Sequence, residues 1–581
     1  EERVDIPRRR AVIACEVCRA RKSKCDGNQP KCRLCKELNA ECVYRERGLK
    51  LDARDKLILD KLDHIEGLLQ QSLSNQRSSS SPIVSPSSSK SSDITAKEYV
   101  FSIPEHHSTP WTNLVRNPKV SELLSNISTA PSPLHLETSR PSLQLNPNIL
   151  LDLSHVQPFV NAFFENVNPF YAIVSPFSWS RYYRAALSHG FRSGPESVII
   201  LLVLALGEAS MGTPLSLIQQ GTTIPGLNFF ASAWPLLPSI FISNTTLDSQ
   251  ALMLVTAFLF YLARPLEAWS ILSATCLKLR AIIKITPPSE MEFEQKELFE
   301  RVYWNALIFE SDLLAELELP HSGIEQYENE IELPSGFIPL KEDSESLVPG
   351  NDDLWYFLAE ISLRRLLNRV HHLLYPKANE KISIATYHPI VQELDFQLTQ
   401  WYNSLPDAIQ FSFQRKKLDN KFSTILRLRY FACQFIIWRL YIELVLQNIE
   451  LLSDSRIQEG ATKCVEACLR QVEHIEEHRD GHMSYLWQGS LSITATLLTL
   501  VAITTQPDLA RRLLPYTTEK VAATIVKGIR FVQNLAHLAP SIAAASDVLC
   551  DVELQWLVTL KNLGVEVDAS DKSHSSSGAI T

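Results

Sequence analysis

The stretch Cys15–Cys42 reads CEVCRARKSKCDGNQPKCRLCKELNAEC, and its spacing is C-x2-C-x6-C-x6-C-x2-C-x6-C. It is a C-x2-C-x6-C unit written twice, Cys15/Cys18/Cys25 and Cys32/Cys35/Cys42, joined by a short loop. A closed structural zinc site takes four ligands, so two zinc ions call for about eight thiolate positions. Six cysteines meet that demand only if two of them bridge both metals. The internal symmetry makes the leading cysteine of each copy, Cys15 and Cys32, the natural bridge. The competing reading is a disulfide knot of the kind found in secreted proteins. A secreted framework normally follows a signal peptide, and none is visible ahead of this one. Two Zn2+ per chain are therefore expected. The first residue is Glu1 rather than Met, which leaves room for residues upstream.

In each copy the x6 segment after CxxC, Arg19–Lys24 and Lys36–Glu41, reads as a short helix, and Gly27 and Pro30 suit the reversal between them. The first segment carries Arg19, Arg21, Lys22 and Lys24, four cations in six residues. The stretch resembles the binuclear zinc cluster (Zn2Cys6) of fungal transcription factors, at all six cysteines, at this basic run and at Pro30. The resemblance implies a module whose first half enters the major groove of DNA and reads a CGG-type triplet. Its key contact is the lysine three residues before the third cysteine, here Lys22. Lysine or arginine on guanine O6 and N7 is the commonest specific base contact, which suits Lys22 with Arg21 beside it. Arg19 and Lys24 are assigned to phosphates, where they give register and a salt-dependent affinity. A module this small has no hydrophobic core and is expected to be unfolded without zinc.

Charge supports a confined nucleic-acid contact. Residues 1–50 hold 14 Lys/Arg against 8 Asp/Glu, whereas the rest holds 42 against 57, within a formal net charge of −9. Two Zn2+ on six thiolates change the head by about −2 and leave it positive. A basic head on an acidic body fits DNA binding by the head alone. Residues 1–14 contain Pro7-Arg8-Arg9-Arg10, a basic arm suited to phosphates or nuclear import, or else a flexible tail.

After the cluster, Ile58, Leu62, Ile65 and Leu69 alternate spacings of four and three. Placing Ile58 and Ile65 at d and Leu62 and Leu69 at a sets Lys61 at g against Glu66 at the following e of a parallel partner. A short dimerising coiled coil over 51–73 is expected, and with it a homodimer. Asp55 at an a position weakens the first heptad, and a single amphipathic helix packed on the body is the alternative. Residues 74–148 are rich in Ser and Pro, with Ser78–Ser92 nearly all serine, too few apolar residues to offset ordering entropy. A disordered linker is expected.

Residues 149–567 turn helical, with recurring apolar and amphipathic segments and no convincing set of period-two strands. The fold class is mostly α: the small cluster, the short coil, the disordered linker, a large all-α regulatory domain and a polar, disordered tail at 568–581. The body resembles the fungal-specific middle homology domain over about 150–345. The carrying residues are Phe163-Phe164-Glu165-Asn166-Val167-Asn168-Pro169-Phe170-Tyr171, Gly207, Gly226-Leu227-Asn228-Phe229-Phe230 and Arg264-Pro265-Leu266-Glu267-Ala268-Trp269. Arg301-Val302-Tyr303-Trp304 and the turn Pro320-His321-Ser322-Gly323-Ile324 complete the set. Where family members often have Gly-Arg before that proline, this chain has Glu318-Leu319.

No phosphate loop, nucleophile elbow or dinucleotide motif occurs in a usable context. His474 and His478 lie at i,i+4 without the glutamate of HExxH. Cys464 stands ten residues from His474, about 15 Å along a helix, too far for one metal. Core cysteines and surface histidines are expected there. The nine aromatic residues between Phe159 and Tyr183 read as bundle core, with an inducer pocket as the alternative. The acid-rich pieces Glu342–Asp353 and Asp551–Asp568 read as a surface loop and a terminal helix, although activation segments share that composition. The apolar runs Val198–Leu206 and Ala251–Ala263 fall short of the ~18–20 residues of a membrane span, so no membrane partner is expected.

The two resemblances together imply a nuclear, non-enzymatic DNA-binding transcription regulator of RNA polymerase II genes. They imply double-stranded DNA with CGG-like half-sites and the transcription machinery or co-regulators as partners, and control of a metabolic pathway or gene cluster as the task. The other reading is a sensor or protein-interaction body for which the zinc module is only a tether.

Overall fold

A computed structural model divides the chain into two compact units, 1–96 and 97–581. It describes residues 17–18, 21, 23, 25–26, 31–38 and 42 of the first. Of the second it describes 132–146, 153–211, 224–337, 353–375, 383–475 and 486–565, with the backbone of 100–102 and 381–382. The expected coil residues Ile58, Leu62, Ile65 and Leu69, the tail and most of the linker lie outside the described residues.

Among the described residues of the first unit, the short helix α1 (Arg33–Glu37) follows the N-cap Cys32.

The second unit is an assembly of helices. Its first part comprises α2 (Pro133–Thr138), α3 (Gln157–Asn166), α4 (Asn168–Tyr171), α5 (Trp179–Ser188) and α6 (Gly194–Met211). Then come α7 (Leu227–Ala233), α8 (Leu237–Ile242), α9 (Thr246–Tyr261), α10 (Pro265–Ile285) and α11 (Phe293–Glu316). The second part comprises α12 (Trp355–Leu374), α13 (Ile384–Asn403), α14 (Lys421–Gln447), α15 (Ser455–His474), α16 (Leu486–Thr504), α17 (Pro507–Leu513), α18 (Thr518–Leu535) and α19 (Pro540–Asn562).

In the first part α6 packs on α3, α5, α7 and α9, and α9 packs on α10 and α11. In the second part α14 pairs with α15, while α16 packs on α15, α18 and α19. Helices α6 and α16 have membrane-like composition, with a mean hydropathy of 1.5 each, but 67% and 83% of that composition is buried inside the body. A helix that is apolar all round needs neighbours all round, and here they are other helices. Helix α9 begins at a reciprocal cap: Thr245 Oγ1 accepts from the Asp248 amide at 3.1 Å, and Asp248 Oδ2 accepts from the Thr245 amide at 3.0 Å.

Two differences from the sequence expectations have physical causes. Residues 132–146, assigned to the disordered linker, are ordered against the body. Their apolar content is low, but Glu137 accepts hydrogen bonds from the Ser541 amide and hydroxyl (3.1 and 2.5 Å). Arg140 donates to the Ala263 and Leu538 carbonyls (2.5 and 2.7 Å), so a few polar anchors hold the strap down across both parts. Second, Val100–Ser102 (β1) pairs antiparallel with Lys381–Ser383 (β2), a ribbon too short for any period-two pattern to reveal. Helix α13 starts at Ile384 behind the Ser383 cap and runs on through Pro389. Burial of Ile384, Tyr387 and His388 outweighs the one hydrogen bond that the proline removes.

Candidate zinc centre and nucleic-acid interface

The described part of the N-terminal unit is organised by sulfur. Cys18, Cys32 and Cys35 are fully buried, and their sulfurs lie within 4.8 Å of one another. A second group joins Cys25 and Asp26 to the same Cys32. The Cys18 and Cys32 sulfurs stand 3.6 Å apart, close to the ~3.8 Å edge of a tetrahedron with Zn–S bonds of ~2.3 Å. A disulfide would need ~2.05 Å, and none joins the described cysteines. Backbone amides donate into the sulfurs, Cys35 N to Cys32 Sγ at 3.4 Å and Cys32 N to Cys42 Sγ at 3.3 Å. That is how metal-bound thiolates are steadied and oriented. The donor set fits zinc, and the domain binds two zinc ions.

The twofold sequence repeat has a structural counterpart. The Arg21 amide donates to Val17 O at 3.1 Å, and seventeen residues on the Leu38 amide donates to Leu34 O at 3.0 Å. The two copies thus make the same helical turn around Cys18 and Cys35. Their sequences differ: the first turn's segment carries four cations and no acid, the second Lys36 with Glu37 and Glu41. Arg21 is exposed, as a cation directed at a polyanion must be. Of the residues expected to ligate or touch DNA, Cys18, Cys25, Cys32, Cys35, Cys42 and Arg21 are described, and Cys15, Arg19, Lys22 and Lys24 lie outside the described residues.

Asp26 was missed by the sequence reading. Its two carboxylate oxygens accept from the Arg33 amide at 3.1 and 3.2 Å. An acid at the first turn of α1 satisfies an otherwise unpaired donor and complements the helix dipole. That role accounts for its closeness to Cys25 and Cys32 without making it a metal ligand.

In the body, the motif residues make scaffold. Asn168 brackets a turn, donating to Val174 O at 2.9 Å and accepting from the Val174 amide at 3.0 Å. Ala172 in that turn has φ +50°. Its carbonyl accepts from Arg301 Nη1 at 2.8 Å, and Tyr171 O accepts from Asn305 at 2.7 Å. Tyr303 and Trp304 donate to Ile324 O and Glu332 O. Gly323 turns with φ +79°, and a β-carbon on Gly207 would meet the Phe159 carbonyl oxygen at 2.0 Å. Six of the nine aromatics between Phe159 and Tyr183 are buried as core.

Cys464 and Cys468 are buried, but His474 is buried too, 3% exposed, and its Nδ1 lies 3.1 Å from Arg427 Nη2. The expectation of a surface histidine is corrected: α15 packs against α14 along more of its circumference than its apolar stripe indicates. His478 lies outside the described residues. The segment from Asp551 is helical, with Val552, Trp556 and Leu560 buried and Glu553 paired to Arg530 at 2.8 Å.

Comparison with known proteins agrees with this geometry. Residues 13–51 match the fungal Zn(2)-Cys(6) binuclear cluster domain and residues 160–403 the fungal specific transcription factor domain. The second match extends past the expected limit near 345. The chain is 24% identical over 528 residues to ecdB of Aspergillus rugulosus, described as a transcription factor, covering 85% of this chain and 89% of that one. It is 21% identical over 517 residues to the transcriptional regulatory protein C11D3.07c of Schizosaccharomyces pombe, covering 79% of each. Against the transcription regulator galc of Aspergillus niger it is 42% identical over 65 residues, 11% of this chain and 8% of the other. No solved structure gives a significant match.

Proposed function

Because this chain is a fungal Zn2Cys6 transcription regulator by both of its domains, we propose that it binds specific double-stranded DNA in the nucleus and recruits or restrains the transcription machinery there. Neither matched family is enzymatic. The observation that carries the proposal is the asymmetry between two equivalent turns, each beside a buried zinc-ligating cysteine. Only the first is written with cations and no acid. Lys22, with Arg21, reads a CGG-like half-site in the major groove, while Arg19 and Lys24 hold phosphates. Cys15 and Cys32 bridge the two metals, and the part Cys32 takes in both ligand groups supports its half of that assignment. Ile58, Leu62, Ile65 and Leu69 pair two chains, so that a homodimer reads two half-sites, and control of a metabolic pathway or gene cluster is the task that suits such a protein.

The test is DNA binding by the full chain on CGG-containing and scrambled duplexes across a salt series. The expected result is a preference for CGG of at least ~100-fold and a log–log salt slope of several units. Lys22→Ala costs about 1–3 kcal/mol, mostly on the CGG duplex, and chelation of zinc abolishes binding. Equal affinity for both duplexes, or binding that survives zinc removal, refutes the proposal.

A further inference from the structure

Helices α11, α12, α14, α15 and α16 leave a cavity of about 120 Å3 between them. Most of its wall is apolar, with Leu363, Ile425 and Ile493 among the residues that form it. Glu316, the last residue of α11, faces this space. It is 4% exposed, and its Oε2 has no hydrogen-bond partner among the described residues. Burial pushes its carboxyl well above the usual range, against the opposing pull of Arg439. That shift favours the neutral carboxyl, whose O–H can donate. A buried polar group without a partner costs about 1–3 kcal/mol, so something external to the fold is called for.

The two arginines lining the space are already answered. Arg364 pairs with Asp312, and Arg429 pairs with Glu360 at 2.8 Å and with Asp312 at 3.5 Å. Gln488 Nε2 also donates to Asp312, at 3.3 Å. Two guanidinium groups and two carboxylates sum to zero. A charged guest would leave its water shell for a site with no spare counter-ion, a heavy cost. A neutral guest meets apolar walls and the Glu316 carboxyl. As to size, an engineered cavity of about 150 Å3 accepts benzene.

We infer that this cavity binds a small uncharged molecule: an apolar body of about one ring, with a carbonyl or hydroxyl oxygen that accepts the Glu316 O–H. The inference stands on the cavity alone and not on the DNA reading. The walls come from both parts of the body, α11 before residue 353 and the other four helices after it, so occupancy strengthens the packing between those parts.

The test is calorimetric titration of the full chain with phenol and benzamide as neutral probes, and with benzoate and benzylammonium as their charged counterparts. The expected result is saturable 1:1 binding of the neutral probes, with the charged ones at least ~10-fold weaker. Glu316→Gln, which keeps a donor, stays within a few-fold, and Glu316→Leu loses at least ~10-fold. Ala432→Leu, which adds methyl groups to the cavity wall, abolishes binding. The comparison of neutral with charged probes needs no variant and so holds even if a substituted chain misfolds. Absence of saturable neutral binding, equal binding of charged probes, or undiminished binding by the folded Glu316→Leu and Ala432→Leu chains overturns the inference, leaving ordered water as the occupant.

Discussion

Replacing Arg301 with methionine tests whether the motif residues of the body act as scaffold. Arg301 is fully buried in α11. It donates to Glu297 Oε1 from Nε at 2.8 Å and pairs with it through Nη2 at 2.7 Å. Nη1 donates to Ala172 O at 2.8 Å, and the guanidinium lies 3.9 Å from the centre of the Phe337 ring. Methionine keeps most of the volume and removes the donors. The Ala172 carbonyl then loses a buried donor, about 1–3 kcal/mol. Breaking a buried pair costs about 3–5 kcal/mol because a charge is left unanswered. Here the lower end applies, since Glu297 still accepts from the Ser335 amide, the Ser335 hydroxyl and the Gly336 amide at 2.9 to 3.1 Å. The two effects overlap, and about 4 kcal/mol is expected in total. With an unfolding entropy of ~2.1 cal/mol/K per residue over about 400 ordered residues, that lowers the body's midpoint by roughly 5 °C. Differential scanning calorimetry of the full chain reads this shift. Adding Glu297→Gln to Arg301→Met removes the stranded charge and should recover about 1–2 kcal/mol. A single-variant shift below ~1 °C, or a double variant worse than the sum of the singles, refutes the reasoning.

Gly207→Ala inverts the usual helix rule. Propensity favours alanine by about 1 kcal/mol, but the added carbon would lie 2.0 Å from the Phe159 carbonyl oxygen, so α3 and α6 must separate and chemical denaturation should show a net loss of more than ~2 kcal/mol. Burial pushes Glu300 up to about 7, with Lys296 3.7 Å away pulling only partly back. A folded-state value above the unfolded ~4.5 means that the folded chain holds the extra proton. Stability from this site is therefore full below pH ~4.5 and falls as pH rises through 7. Glu300→Gln should flatten that part of a melting-temperature profile; an unchanged slope counts against it. Asp26→Asn should keep two zinc ions per chain, measured by metal analysis, because asparagine still caps α1. Asp26→Ala should destabilise the module by about 1 kcal/mol, and loss of one zinc in Asp26→Asn would instead mark the carboxylate as a ligand.

The described cysteines show why the site was readable without coordinates. Tetrahedral zinc imposes its ligand spacing on the chain over fewer than thirty residues, so C-x2-C-x6-C written twice carries its own geometry. Long helices such as Pro265–Ile285 were equally legible, since a 3.6-residue period is a local property. The short elements were not. Neither α2 nor the β1–β2 ribbon announces itself by period; the first is held by Glu137 on Ser541, about four hundred residues away. Asp26 was hidden because a cap contact across a loop leaves no pattern in the cysteine count.

By itself the sequence determined the metal, the basic turn, the helical class of the body and the family, because each is encoded within a few turns of chain. Tertiary structure alone decided that Arg301 holds the Ala172 turn, that His474 is buried against Arg427, and that five helices leave a space lined by the buried Glu316. Those outcomes depend on which helix faces meet. Periodicity says that a face is apolar, while the identity of its neighbour, and any gap left between them, is fixed only when all the faces are packed together.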